Sequence, residues 1–105
     1  MKLRKILLKI GISPNKQGYF YIIDTINILN KQGIHTRMMT LYKMVGKKYD
    51  KKPSQVERGI RYSIQQSYKN NKILKEIYGK CPDNSVLLYD LVFNFDLLEE
   101  TIKYM

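Results

Sequence analysis

The sequence predicts an all-α domain of about six helices that contains a helix-turn-helix. Apolar residues recur at three- and four-residue spacing along most of the chain, and no segment shows two-residue alternation bounded by hairpin signals. At 105 residues the chain is long enough for one hydrophobic core and too short for two independent cores. We therefore expect a single domain over residues 1–105.

The first two helices are predicted from apolar spacing and from the glycines that follow it. A short amphipathic helix is expected to end at Gly11, before the Ser13-Pro14 turn, because its apolar residues follow i, i+3, i+4, i+7 spacing: Leu3, Ile6, Leu7 and Ile10. A second helix is expected from about Lys16 to Asn30, with Gly33 as its stop. It should bury some of Tyr19, Ile22, Ile23, Ile26 and Leu29.

The predicted helix-turn-helix occupies about 36–69. Its first helix spans roughly Thr36 to Tyr49 and has one apolar side, formed by Met38, Leu41, Tyr42, Val45 and Tyr49. After Pro53, the residues Ser54-Gln55-Val56-Glu57 match a capping box, in which Ser54 accepts from the Glu57 amide and Glu57 reaches back. We therefore expect the second helix of the motif to begin at Ser54.

Two further helices are predicted in the last third of the chain. A short one over about Lys72 to Tyr78 should be ended by Gly79. The last one, about 84–103, carries more apolar residues than one face of a lone helix can bury. Either this helix crosses the middle of the domain or it supplies a surface for a partner.

Positive charge is concentrated in the middle of the chain. The formal net charge is +10. Residues 31–75 carry twelve basic and two acidic side chains, whereas residues 76–105 carry two basic and six acidic ones. A polyanion would therefore meet one face of the protein, although a basic surface kept for solubility also fits the composition.

Several classes of function are disfavoured by the residues present. One cysteine, Cys81, and one histidine, His35, provide neither an internal disulfide nor a zinc site, and no cofactor is expected. They also provide no nucleophile and base set, and no glycine-rich phosphate loop is present, so an enzyme is not expected. No apolar run approaches the roughly 20 residues of a membrane span. The first ten residues begin like a signal peptide, but Lys9 interrupts the apolar run, and we expect a cytoplasmic protein.

The second helix of the motif is predicted to have one outward side suited to DNA. At 100° per residue, Val56, Ile60, Ser63, Ile64 and Ser67 lie on one side of this helix. Arg58 lies on the other side, in the part of a recognition helix that reaches base edges, where its guanidinium can meet guanine O6 and N7. Gln55 has the amide geometry that suits adenine, although it can also simply face water.

The remaining polar residues of the motif are predicted to contact phosphates or to have structural roles. Phosphate contacts are expected from Arg61, Tyr62 and Lys69 along the helix and from four lysines of the turn: Lys47, Lys48, Lys51 and Lys52. Glu57 either caps the helix or accepts from cytosine N4. Gly59 costs roughly 1 kcal/mol relative to Ala in a helix, and it either permits close approach of a supporting helix or has no role.

Four landmarks of the chain resemble the effector domain of the stage 0 sporulation protein A family of response regulators. They occur in the family's order over residues 10–88. The first is Ile10-Gly11-Ile12 followed by Gly18-Tyr19-Phe20-Tyr21, and the second is Leu41-Tyr42 with Val45-Gly46-Lys47-Lys48-Tyr49. The third and most specific is Ser54-Gln55-Val56-Glu57-Arg58-Gly59-Ile60-Arg61. The fourth is Tyr78-Gly79 with Pro82-Asp83-Asn84-Ser85.

The resemblance implies an all-helical domain that binds short TGTCGAA-like boxes in double-stranded DNA, often as head-to-tail pairs on tandem sites. It assigns base reading to residues at the positions of Gln55, Glu57 and Arg58, and phosphate contacts to those at the positions of Ser54, Arg61 and Tyr62. Gln55 stands where the family typically has arginine, and Tyr62 where it typically has histidine. The preferred box is therefore expected to differ, with an adenine in place of a guanine as one option.

Three hypotheses of function follow from these observations. The first is a sequence-specific DNA-binding transcriptional regulator that works without the receiver domain of its family, because the chain begins where the effector domain begins. It would bind DNA as a homodimer or in tandem, without a small-molecule ligand. The second is an accessory or DNA-processing protein of a plasmid or phage. The third is a protein-interaction module that binds a partner through the last helix.

Overall fold

A computed structural model of the protein describes residues 2–33 and 36–105 and is all-helical there, which confirms the predicted fold class. Met1, Ile34 and His35 lie outside the described residues, so the single histidine considered as a metal ligand is not placed. Seven helices are formed within the described residues: α1 (Lys2–Ile10), α2 (Gln17–Gln32), α3 (Met38–Tyr49), α4 (Pro53–Asn70), α5 (Ile73–Tyr78), α6 (Asn84–Phe93) and α7 (Phe95–Lys103).

The glycines that were predicted to end helices do so. Gly11 follows α1 with φ +92°, and Gly79 follows α5 in the left-handed region. Gly33 follows α2 with φ +85°, and its N–H donates to the Leu29 carbonyl at 2.8 Å. These positive φ angles favour glycine because it has no Cβ.

The predicted last helix is wrong in one respect, because it is divided at Asn94. The backbone there leaves the helical region, with φ −125° and ψ 29°. The Asn94 side chain donates to Asp90 Oδ1 at 2.9 Å, while its carbonyl accepts from the Leu98 N–H at 2.9 Å and so begins α7. The break gives the apolar residues two directions of burial, since α6 buries Leu87, Leu88 and Leu91, and α7 buries Leu98 and Ile102.

The α2 helix lies at the centre of the domain and packs against α3, α4 and α6. Its buried residues include all five that the sequence analysis proposed: Tyr19, Ile22, Ile23, Ile26 and Leu29. The α4 helix buries the predicted side, formed by Val56, Ile60, Ser63, Ile64 and Ser67, against α2 and α3. The opposite side of α4 is left to solvent.

Close packing between α2 and α4 depends on two glycines. A Cβ on Gly18 would lie 2.3 Å from the Gly59 carbonyl oxygen, and a Cβ on Gly59 would lie 2.9 Å from Cε2 of Tyr21. Gly59 therefore permits close approach of a supporting helix, the first of the two roles considered for it. This contact sets the distance between α2 and α4, and therefore the position of the outward side of α4 relative to the core.

Candidate nucleic-acid interface

The turn between α3 and α4 is tight, and this sets the direction of α4. The Lys51 N–H donates to the Gly46 carbonyl at 2.8 Å, and Asp50 adopts the left-handed conformation with φ 55° and ψ 47°. A Cβ on Gly46 would lie 2.4 Å from the Lys51 carbonyl oxygen, so this position leaves room only for glycine. The two helices and their turn form the predicted helix-turn-helix over about 36–69, with α4 as its second helix.

The predicted capping box at the start of α4 is wrong by one residue and in its partners. The helix begins at Pro53 rather than Ser54, and the Lys52 N–H donates to Gln55 Oε1 at 2.8 Å. Proline suits the first helical position because it has no N–H to satisfy and its φ is already helical. The side chain that caps the start of α4 is therefore Gln55, three residues beyond Lys52. Glu57 has no part in this cap and is available for other contacts.

The outward side of α4 carries six of the eleven predicted site residues as exposed side chains: Ser54, Gln55, Arg58, Arg61, Tyr62 and Lys69. Gln55, Arg58 and Tyr62 line one flank of this side, where a groove of about 560 Å³ separates α4 from the start of α2. The groove is also lined by Gln17, Tyr21, Lys51 and Gly59. Gln17 was missed by sequence reasoning because it joins the site only through tertiary packing.

The other flank of α4 carries an ion pair. Arg61 Nε lies 2.9 Å from Glu57 Oε2, and Arg61 Nη2 lies 3.4 Å from Glu57 Oε1. The hydrogen bond and charge of Glu57 raise the pKa of the Arg61 guanidinium. Glu57 is half-buried and lines an open cavity of about 460 Å³ with Arg61 and Asn84. The structure thus separates Glu57 from Gln55 and Arg58, its proposed partners in base reading, by placing it at the edge of the outward side.

Three of the four turn lysines lie together. Lys47, Lys51 and Lys52 line a concavity of about 380 Å³ at the turn, next to Gln55. Lys48 instead faces α2, where its Nζ lies 3.1 and 3.2 Å from the two carboxylate oxygens of Asp24. Of the four predicted phosphate contacts, Lys48 is therefore the one whose charge is already paired within the protein.

Two aromatic side chains, Tyr21 of α2 and Tyr49 of α3, pack behind the outward side of α4. Tyr49 donates to Asp24 Oδ2 at 2.5 Å, and its ring meets Tyr21 edge-on with centroids 5.3 Å apart. Burial, followed by the hydrogen bond and the charge of Asp24, raises the pKa of Tyr49 to about 12. Because Tyr21 packs under Gly59, these contacts link α2, α3 and α4 directly beneath the exposed residues.

The described residues hold neither a candidate metal site nor a candidate membrane-spanning helix. Between residues 2–33 and 36–105, no three carboxylate, cysteine or histidine side chains come together in a way that would hold a metal ion. None of the helices described combines the length and the apolar character needed to cross a membrane.

An all-helical domain with a helix-turn-helix, an Arg- and Gln-bearing outer helix and a lysine-rich turn belongs to the class of DNA-binding domains. The family described as "Sporulation initiation factor Spo0A C terminal" matches residues 3–86, and the chain belongs to this family. The family is the DNA-binding domain of a sporulation regulator and binds double-stranded DNA. No solved structure gives a significant match. The match ends within α6, so α7 lies beyond it.

Proposed function

We propose that this domain is a sequence-specific transcriptional regulator of the sporulation-regulator type, with α4 as its recognition helix in the major groove. The observation that carries the proposal is the outward side of α4, where Arg58 and its exposed neighbours stand beside a lysine-lined turn. A recognition helix reads base edges near its N-terminus and meets phosphates at its flanks. The turn is where the positive charge of the sequence is most concentrated.

Base reading is proposed for Arg58, Gln55 and Glu57. Arg58 lies in the second turn of α4 and is exposed, so its guanidinium is free to make two hydrogen bonds to guanine. Gln55 Oε1 already accepts from the Lys52 N–H. A paired contact to adenine therefore requires that oxygen to be shared, whereas the Nε2 donor is available for purine N7.

Phosphate contacts are proposed for two groups of residues. Lys47, Lys51 and Lys52 supply three positive charges from one concavity at the turn. Four residues of α4 complete the backbone contacts: Ser54, Arg61, Tyr62 and Lys69. Lys48 and Arg61 contribute less net charge than the others, because their carboxylate partners must be displaced or carried along.

The test is fluorescence anisotropy with a duplex that bears a TGTCGAA-like box and with its scramble, each titrated at several salt concentrations. We expect tighter binding to one sequence, with affinity for both falling as salt rises, because phosphate contacts release counterions. If neither box nor scramble is preferred, the preferred site is selected from random duplexes before variants are compared, because Gln55 replaces the family's usual arginine.

The decisive variant is Arg58→Ala. It should cost about 1 to 3 kcal/mol on the preferred site and relax specificity at one base pair, while changing binding to the scramble far less. The matched control is Lys103→Ala, which removes one positive charge from α7, a helix whose main packing partner is α6. Equal losses for the two variants on every duplex would refute base reading by Arg58.

A second candidate function is protein binding by the end of the chain. It is favoured by apolar side chains that stay exposed on α6 and α7, among them Phe93 at 44% and Leu97 at 69%. Binding of two copies on tandem sites in DNA would use such a surface. Sedimentation of the protein alone and with a tandem-site duplex tests this candidate, and single occupancy of the duplex would count against it.

A further inference from the structure

Asn84 joins three helices at the edge of the proposed DNA-binding face. It is the first residue of α6 and is only 8% exposed. Its Nδ2 lies 3.2 Å from the Tyr42 hydroxyl of α3, and 3.1 and 3.4 Å from the carbonyl oxygen and Oε2 of Glu57 in α4. Both Glu57 atoms are acceptors only, so the amide nitrogen has to face them.

The same carboxylate oxygen of Glu57 faces two donors. Oε2 lies 2.9 Å from Arg61 Nε and 3.4 Å from Asn84 Nδ2, whereas Oε1 has its closest protein donor in Arg61 Nη2 at 3.4 Å. Oε2 is therefore held toward the protein from two sides. Oε1 is the oxygen with capacity left to accept from a ligand.

We infer that Asn84 is a positioning residue for DNA specificity, which holds the Glu57 carboxylate so that Oε1 faces a base edge and Arg61 faces the backbone. The inference rests on the proposed function, in which Glu57 reads a base. Without the Asn84 hydrogen bond, the carboxylate would turn together with the exposed side chain of Arg61, and the base contact would lose its fixed geometry. A hydrogen bond from a buried amide prevents this without adding charge to the interface.

The distances also explain why an acidic residue is tolerated beside DNA. Glu57 repels phosphates unless its charge is balanced, and Arg61 balances it within the protein. Asn84 keeps the pair at the flank of α4 that faces α6, away from the lysines of the turn. A base contact by Glu57 would therefore lie on a different flank of α4 from the phosphate contacts of the turn lysines.

The test measures specificity and affinity separately. Wild type, Asn84→Ala, Glu57→Ala and the double variant are titrated by anisotropy against the preferred site, against its single-base-pair variants and against a scramble. Asn84→Ala should lower the preference at one base pair by about tenfold, the scale of one hydrogen bond to a charged group. That base pair should be the one at which Glu57→Ala loses its preference, and the double variant should lose no more than Glu57→Ala alone.

A second variant guards against a loss of folding. Asn84→Asp keeps the shape of the side chain and places a carboxylate in the first turn of α6, where the helix dipole favours it. It removes both N–H donors and places a carboxylate against the carbonyl and carboxylate of Glu57, so the same base pair should lose preference and the thermal midpoint should fall. The titrations are therefore made well below that midpoint, at a temperature where circular dichroism shows the variant to be folded. Retained discrimination at that base pair in this variant would overturn the inference.

The chain offers a matched control in Asn71. Its Nδ2 donates to the Lys9 carbonyl at 3.1 Å and so ties the end of α4 to α1, on the side away from Glu57 along the helix. Asn71→Ala should lower the thermal midpoint without changing base preference. If Asn84→Ala also left base preference unchanged, and weakened binding to all duplexes equally, its role would be structural and the inference would fail. If wild type itself preferred no sequence, the proposed function would fail together with it.

Discussion

Replacing Gly18 with alanine should move α4 away from α2, against which it packs. The new Cβ would lie 2.0 Å from Ser63 Oγ and 2.3 Å from the Gly59 carbonyl oxygen, whereas ordinary contacts begin at 3.4 Å. A backbone oxygen cannot turn away as a side chain can, so α2 and α4 must move apart by about 1 Å along an interface of fully buried residues. Overpacking of this kind costs about 1 to 3 kcal/mol.

Helix propensity offsets part of that cost. Alanine is favoured over glycine by up to about 1 kcal/mol, and less in the first turn, so we expect a net loss of about 2 kcal/mol in the free energy of unfolding. In a domain of this size that loss lowers the thermal midpoint by about 8 °C. Affinity for the preferred DNA site should also fall at temperatures where the variant is folded, because α4 shifts relative to the turn lysines.

The assay is urea and thermal denaturation followed by circular dichroism, with Gly59→Ala as the comparison. There the added Cβ meets the ring edge of Tyr21, at 2.9 and 3.0 Å, and no backbone atom, so the clash is smaller and the gain in helix propensity offsets more of it. Gly59→Ala should therefore lose clearly less stability than Gly18→Ala. Adding Ser63→Ala to Gly18→Ala removes the 2.0 Å contact but not the carbonyl, so recovery should be partial. Full recovery, or equal stability of the two glycine variants, would refute the reasoning.

Two further predictions concern the turn and the support beneath α4. Lys51→Ala should reduce the slope of log affinity against log salt concentration by about 1. Lys48→Ala should reduce this slope by clearly less, because Lys48 is already paired with Asp24. Equal changes in slope would contradict this placement of the lysines. Because the pKa of Tyr49 is raised from 10.0 in a free tyrosine to about 12, folded Tyr49 keeps its proton where the unfolded chain loses it. The free energy of unfolding should therefore hold below pH 10 and decrease from pH 10 toward 12, and Asp24→Asn should reduce that decrease. Urea denaturation at pH 9, 10 and 11 checks this, and the same decrease with and without Asp24 would show that the carboxylate has no part in it.

The start of α4 shows where sequence patterns mislead. Two capping patterns overlap between Lys52 and Glu57, and the one with serine looks better because serine is a good N-cap. The structure adopts the other, since Pro53 takes the first helical position and Gln55 reaches the Lys52 N–H. Pro53 therefore indicated the correct start of α4. The expected start at Ser54 favoured a capping role for Glu57.

The break at Asn94 had a weaker signal. An asparagine inside an apolar run is compatible with a continuous helix. Its side chain ends α6 here because Asp90 lies one turn earlier and because the change of direction lets α7 bury its own apolar side. Gln17 had no signal in the sequence, because its place beside α4 depends on the Gly18 contact with Gly59.

The sequence by itself determined the helical class, most helix bounds, the buried side of α4 and the concentration of charge at the turn, since these depend on spacing and composition within one segment. Tertiary structure decided which charges are free. Asp24 of α2 pairs with Lys48 of α3, and Asn84 of α6 donates to Glu57 of α4, and each of these two contacts joins residues more than twenty positions apart. Such contacts depend on how helices pack rather than on any local pattern, and they decide which polar side chains of the helix-turn-helix remain available to a ligand.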